Sequence, residues 1–303
     1  MSKLYREYKK FAKKITRSEM QAGTDEDEIT LESLLNFGRI QSSSNFFLGT
    51  FSNTGLKAIL EHFKIIDELE TMGLTNINTE IETSDSHTHK LYVYSGEPNP
   101  ANVICELVAK KGPLQFESGI LDNYPKKHQQ FLQIEWLLLQ NPKKKFDDKK
   151  PRMPGQSYPG LGMGQNLMVL MVLLAKNIGL DGIVNKPHFF HTGFIFSKKF
   201  VYVDPFKQAE MEALARDLLK SCRFYHLSWA TFFECIINKN TDETFLWKPD
   251  YLIFPMTKAI SKYFNSKEYK KKVNEYKKQL SFSLDEDKYK EMVAEHDLKQ
   301  DFF

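Results

Sequence analysis

Only three cysteines, Cys105, Cys222 and Cys235, occur in 303 residues, and none shares a CxxC spacing with another. That excludes a disulfide-stapled scaffold and a zinc knuckle, and each reads as a small buried apolar residue. Long hydrophobic runs are also absent: the longest, residues 167–175, falls far short of the roughly 20 residues that cross a bilayer. Residues 1–15 are rich in Lys and Tyr rather than basic and then apolar, so no secretory leader is expected; the chain is placed in the cytoplasm with no membrane partner. Neither sign of charge dominates, with 42 basic against 39 acidic residues and a net charge of +3. The runs at 143–145 and 270–272 read as a solvated loop and a solvated helix face, which disfavours nucleic acid as a partner. Several catalytic signatures are missing as well. No GxSxG elbow, GxxxxGK[ST] loop or HExxH helix is present, nor an acidic residue at a strand end about twenty positions beyond the glycine-rich loop at 154–164, as a dinucleotide site requires. Asp181 lies close in number but precedes its strand.

What is present suffices for a folded core, at 41% hydrophobic and 13% aromatic residues. Leu4, Tyr8, Phe11 and Ile15 recur at helical spacing, and Leu31, Leu34 and Leu35 follow Thr30, so residues 1–43 read as a helical arm. Residues 46–51 read as a first strand. Leu56, Ile59, Leu60, Phe63, Ile66, Leu69 and Met72 keep a 3.6-residue period, capped by Asn53 or Thr54 and stopped by Gly73. The period then changes to alternation: strands are expected at 77–83, 90–94 and 103–108 as an antiparallel meander, and at 131–139 as a central strand buried on both faces.

Residues 154–164, Pro-Gly-Gln-Ser-Tyr-Pro-Gly-Leu-Gly-Met-Gly, lead directly into the apolar helix predicted at 164–177. Glycines turn tightly with their N–H groups exposed, and a helix start adds unpaired donors and a positive dipole end, so the stretch can cradle an anion such as a pyrophosphate. Short strands are expected at 182–184, and at 193–196 and 200–203 as a hairpin. Helices follow at about 208–220 and 228–237. A charged tail helix carries Tyr269, Val273, Tyr276 and Leu280 as one stripe that docks on the body or on a second copy, a homodimer being the second arrangement.

The buried strand at 131–139, the loop Gln156–Gly164 and the segment ending in Gly193-Phe194 resemble the GNAT family of N-acetyltransferases over about residues 45–204. The resemblance implies an α/β (α+β) fold: a mixed, mainly antiparallel sheet flanked by helices, with helical N- and C-terminal extensions. It divides the chain into an arm at 1–43, an acyl-CoA-binding domain at 44–205 and an extension at 206–303. It implies that Gln156, Gly160, Leu161, Gly162, Met163 and Gly164 hold the pyrophosphate of acetyl-CoA or another acyl-CoA, with Asn185 near the cofactor arm. Gln156 lies four residues before Gly160 where the family has three, and residues 141–152 form an insertion.

Transfer of an acetyl group to an amine needs one base and a proton for the departing thiolate. Glu135, beside Ile134, Trp136 and Leu137, is the expected base, its pKa raised by apolar neighbours. His188 and His191 are the expected proton donors, since no tyrosine stands at the matching position. No metal is expected: these two histidines lack a further ligand nearby, and His87 and His89 beside Asp85 read as a solvent-facing turn. The acceptor is an amine that the sequence does not name. Two readings stand beside an N-acyltransferase: a non-catalytic binding or assembly module on the same fold, and a metal-dependent hydrolase built on the two histidines.

Overall fold

The computed structural model describes residues 20, 45–114, 130–296 and 298. The helical arm expected at 1–43 therefore lies outside the described residues except for Met20, whose carbonyl accepts the Ser52 N–H at 2.9 Å. The fold is the predicted mixed, mainly antiparallel sheet flanked by helices. It divides into two compact units, the first made of residues 1–112, 132–146 and 158–180, the second of 113–131, 147–157 and 181–303. Among the described residues no helix is long and apolar enough to cross a membrane.

The first unit starts with two helices, α1 (Asn53–His62) and α2 (Ile65–Thr71), where the sequence period predicts one. Lys64, with φ of 58°, stands between them in the left-handed region and breaks the helix. Ser52 rather than Asn53 or Thr54 caps α1, its Oγ accepting the Gly55 N–H at 3.0 Å. The strand expected at 46–51 is a turn: Leu48 and Gly49 both have positive φ and fold Phe47 back onto Phe51. The meander is as predicted. β1 (Ile77–Glu82), β2 (Thr88–Ser95) and β3 (Val103–Pro113) pair antiparallel in that order, with Glu80 opposite Tyr92 and Tyr92 opposite Glu106. β4 (Gln130–Leu139) adjoins β3, but it is not buried on both faces, because Glu135 and Trp136 are exposed. Leu56, Ile59, Leu69, Leu91, Val93 and Ile104 are buried in this unit's core. Helix α3 (Gly164–Asn177) buries Leu170, Met171, Val172, Leu173 and Ala175.

The second unit opens with β5 (Gly182–Asn185), which runs antiparallel to β9 (Leu252–Pro255), and β6 (Val201–Tyr202) lines the other edge of β9. The hairpin expected at 193–203 is not formed. Residues 190–197 are helix α4 (Phe190–Ser197), because Phe190 and Phe194, spaced i and i+4, both turn onto Phe224, and Phe190 also meets Trp247 edge-on. Two further helices, α5 (Pro205–Leu218) and α6 (Phe224–Phe232), follow; α6 ends before β7 (Ile236–Asn238), where the sequence predicts a helix continuing to 237. β7 forms the centre of a second, three-stranded sheet with β8 (Glu243–Thr244) and β10 (Phe282–Leu284). The remaining helices are α7 (Lys258–Phe264), α8 (Lys267–Lys278) and α9 (Glu286–Glu295). The predicted tail stripe is met in part: Tyr269 and Val273 are buried in α8, which packs on α5, and Tyr269 donates its hydroxyl to the Tyr202 carbonyl at 2.5 Å, but Tyr276 is exposed and Leu280 lies beyond the helix end. All three cysteines are free and buried, as expected, and burial pushes the Cys105 thiol up to about 12.

Candidate functional site

The residues singled out by the sequence divide between the two units. Glu135 and 160–164 belong to the first; Gln156, Asn185, His188 and His191 belong to the second. In the first unit, the chain leaves β4, passes Asn141, whose N–H donates to the Pro159 carbonyl at 2.8 Å, and enters the glycine loop before α3. Burial alternates along that loop. Leu161 and Met163 are 5% and 4% exposed, whereas Gly162 and Gly164 face solvent. Two apolar anchors therefore hold the backbone down while Gly162 between them and Gly164 after them keep its surface bare.

Gly162 has φ of +81°, where a side chain would be strained, and a Cβ at Gly164 would meet nothing within 4 Å. Among the described residues the N–H groups of Gly164, Gln165 and Asn166 donate to no carbonyl, as the first turn of a helix requires. Together with the positive end of the helix dipole they form a surface that favours an anion. Asn141, which the sequence reading passed over, carries a buried Nδ2 that has no partner. Leu161, Met163, Leu167 and Leu170 also line a cavity of about 50 Å³ with Leu60, Ile65 and Leu69 of α1 and α2.

Glu135 is not in the apolar setting expected of a raised carboxyl. Its side chain is 45% exposed and pairs with Lys110 Nζ at 2.6 Å. The neighbouring Trp136 is 49% exposed and donates its indole N–H to Glu106 at 3.1 Å.

In the second unit, Gln156 is engaged locally. Its Oε1 accepts the Met153 N–H at 3.1 Å and its carbonyl accepts Arg152 Nε at 2.9 Å. Asn185 is buried in β5 with Oδ1 unpartnered. His188 is exposed, and His191, 7% exposed, lies within α4 with Nδ1 unpartnered. The two rings flank Phe189, His188 edge-on at 5.0 Å and His191 stacked at 5.5 Å. Burial pulls His191 down to about 4, so its imidazole is neutral at physiological pH and accepts a proton only reluctantly. No group of His, Cys, Asp or Glu suited to a metal ion is present among the described residues. His89, expected in a solvent-facing turn, is instead 6% exposed and accepts the Leu48 N–H at 2.7 Å.

A buried charged cluster in the second unit escaped sequence reading. Lys207 is 5% exposed, pairs with Glu210 and sits 4.0 Å from the centre of the Trp247 ring. Burial raises the carboxyls of Glu210 and Asp250 above their ordinary range. Its only sequence signal was Lys207 at i, i+3 from Glu210, which reads equally well as a surface pair.

No family model and no curated protein matches the chain. Among solved structures, the crystal structure of the KacTA–DNA complex matches 53% of this chain and 77% of that one at 14% identity, with a TM-score of 0.24. A likeness that weak assigns nothing further to this chain. Against the expectation that nucleic acid is an unlikely partner, that matching structure is a complex with DNA. The order β4, glycine loop, α3, β5 is the one the sequence predicts.

Proposed function

We propose that the chain is an acyl-CoA-binding protein of the N-acyltransferase type, using residues 160–164 and the first turn of α3 to hold the pyrophosphate. The observation that carries this reading is the alternation of buried Leu161 and Met163 with exposed Gly162 and Gly164 directly before three helix N–H groups that, among the described residues, donate to no backbone carbonyl. The positive φ of Gly162 accounts for that glycine, but neither backbone conformation nor packing accounts for Gly164. Bound acyl-CoA would supply a thioester carbonyl for attack by an amine. The chain's own contribution is to fix the phosphates by backbone donors and to offer the Asn141 amide as an additional donor beside the loop. For the transfer itself, Glu135 would accept a proton from the amine once Lys110 gives way.

The ion pair on Glu135 favours a second reading, in which the same fold binds acyl-CoA and transfers nothing. Calorimetry with acetyl-CoA and longer acyl-CoAs tests the shared part. Wild-type protein is expected to release binding heat, and Gly164→Glu to weaken binding at least tenfold by opposing the anion. The variant should keep its melting temperature, because its Cβ enters open space and a carboxylate suits a helix N-terminus. Absence of heat with every acyl-CoA would overturn both readings; heat without any acylated amine product would leave the second.

A further inference from the structure

One face of the first unit's sheet carries aromatic rings and carboxylates in a continuous set. Glu80, Tyr92 and Glu106 stand opposite one another on β1, β2 and β3, so their side chains share a face. Tyr94, two residues from Tyr92, shares it as well; the two rings stack at 6.0 Å, and the Tyr94 hydroxyl donates to Glu80 at 3.2 Å. Trp136 extends the row onto β4 through its bond to Glu106. Lys90 pairs with Glu82 at 3.1 Å and Lys110 with Glu135 at 2.6 Å, which neutralises two of the four carboxylates. Glu80 and Glu106 are left with aromatic donors only; among the described residues neither forms an ion pair. A tyrosine hydroxyl or an indole N–H orients a carboxylate without cancelling its charge.

We propose that this face docks a lysine-rich polypeptide segment. The net negative charge repels anions, and a half-exposed tryptophan between carboxylates suits an alkylammonium group, whose methylenes lie along the ring while its charge meets both the ring face and Glu106. Four adjacent strands, spaced about 4.8 Å apart, present these groups over about 15 Å, a span that several successive residues of an extended peptide fill and a single small amine does not. The burial that holds the Tyr94 hydroxyl up to about 12 keeps it a donor to Glu80 throughout the physiological range. The docking does not depend on acyl transfer and stands if the reading of the glycine loop fails.

Titration of the purified protein with an oligolysine octapeptide, followed by calorimetry without acyl-CoA, tests it directly. Wild type is expected to bind, more weakly as salt is raised. Trp136→Ala and Glu106→Gln should each weaken binding at least fivefold with unchanged melting curves, since Trp136 is half-exposed and Glu106 sits at the surface of β3. Glu291→Gln, at an exposed position of α9, should bind like wild type. Equal binding by Trp136→Ala and wild type would overturn the proposal. So would no binding of oligolysine, or tighter binding of spermine than of the peptide.

Discussion

Acidification should destabilise this protein through His191, by an amount set by its burial. In the folded chain the imidazole is 7% exposed, stacks on Phe189 and has no partner at Nδ1. Nothing rewards a proton there, and burial pulls its pKa from an ordinary value near 6.5 to about 4. Between those two values the unfolded chain binds more protons than the folded one, so stability falls as pH drops through the window and levels off below it. At about 1.4 kcal/mol per pH unit the full loss is about 3 kcal/mol, an upper bound because water reaches a loosened site. His89 is also held low by burial and by Lys111, while Glu210 and Asp250, raised by burial, act with the opposite sign. Wild-type stability alone therefore mixes several groups. The difference between wild type and His191→Gln isolates one, because Gln carries no titrating proton. Urea denaturation of both proteins from about pH 7.5 to about pH 4 is the assay. Wild type should lose about 2–3 kcal/mol more than the variant over that range. Parallel curves would refute the reasoning, since they would mean that His191 is protonated equally easily in both states.

The remaining predictions concern packing in the second unit. Gly155 has φ of +76°, and a Cβ there would run into the Phe189 ring. Gly155→Ala should cost about 2 kcal/mol or more, read as a fall in melting temperature; an unchanged melt would show that the ring moves aside freely. Removing one partner of the buried Lys207–Glu210 pair, as in Lys207→Ala, should cost about 3–5 kcal/mol, because it strands a buried carboxylate near Asp204 and Asp250. Replacing both, Lys207→Met with Glu210→Leu, should recover most of that loss in a denaturation curve, and equal destabilisation by the single and double variants would contradict it.

How much of the fold was readable depended on whether local pattern and tertiary demand coincided. They coincide in the meander, where alternation at 77–113 gives three strands that pair in sequence order, and in α3, whose apolar run follows a glycine stop on each side. They diverge where aromatic density hides the period. Phe189, Phe190, Phe194 and Phe196 fit a strand as well as a helix by composition. Contacts with Phe224 and Trp247, about thirty and nearly sixty residues away, decide for helix. Lys64 illustrates the opposite failure: a period that runs unbroken through 56–72 conceals a left-handed residue that splits it. The site was legible only in its glycines. Asn141 gave no signal and Lys207 only an ambiguous one, because being unpartnered or buried is a property of what surrounds a residue, and no local pattern encodes it.

Gly193 shows why a glycine in a family-like pattern does not by itself report function. A Cβ at this position would press on the Tyr202 hydroxyl and lie 3.0 Å from the Trp247 ring. The helix α4 can sit against β6 and the 245–247 segment only because that Cβ is missing, so packing alone accounts for this glycine. Gly164 is the reverse case: nothing lies within 4 Å of its missing Cβ, and its backbone is not in the left-handed region. A side chain would fit there without strain, and most would improve the helix. The sequence nonetheless leaves the first turn of α3 bare at the point where, among the described residues, three N–H groups donate to no backbone carbonyl. Of the two glycines, it is the one that packing does not require that argues for a ligand, which is why Gly164 rather than Gly193 carries the binding test.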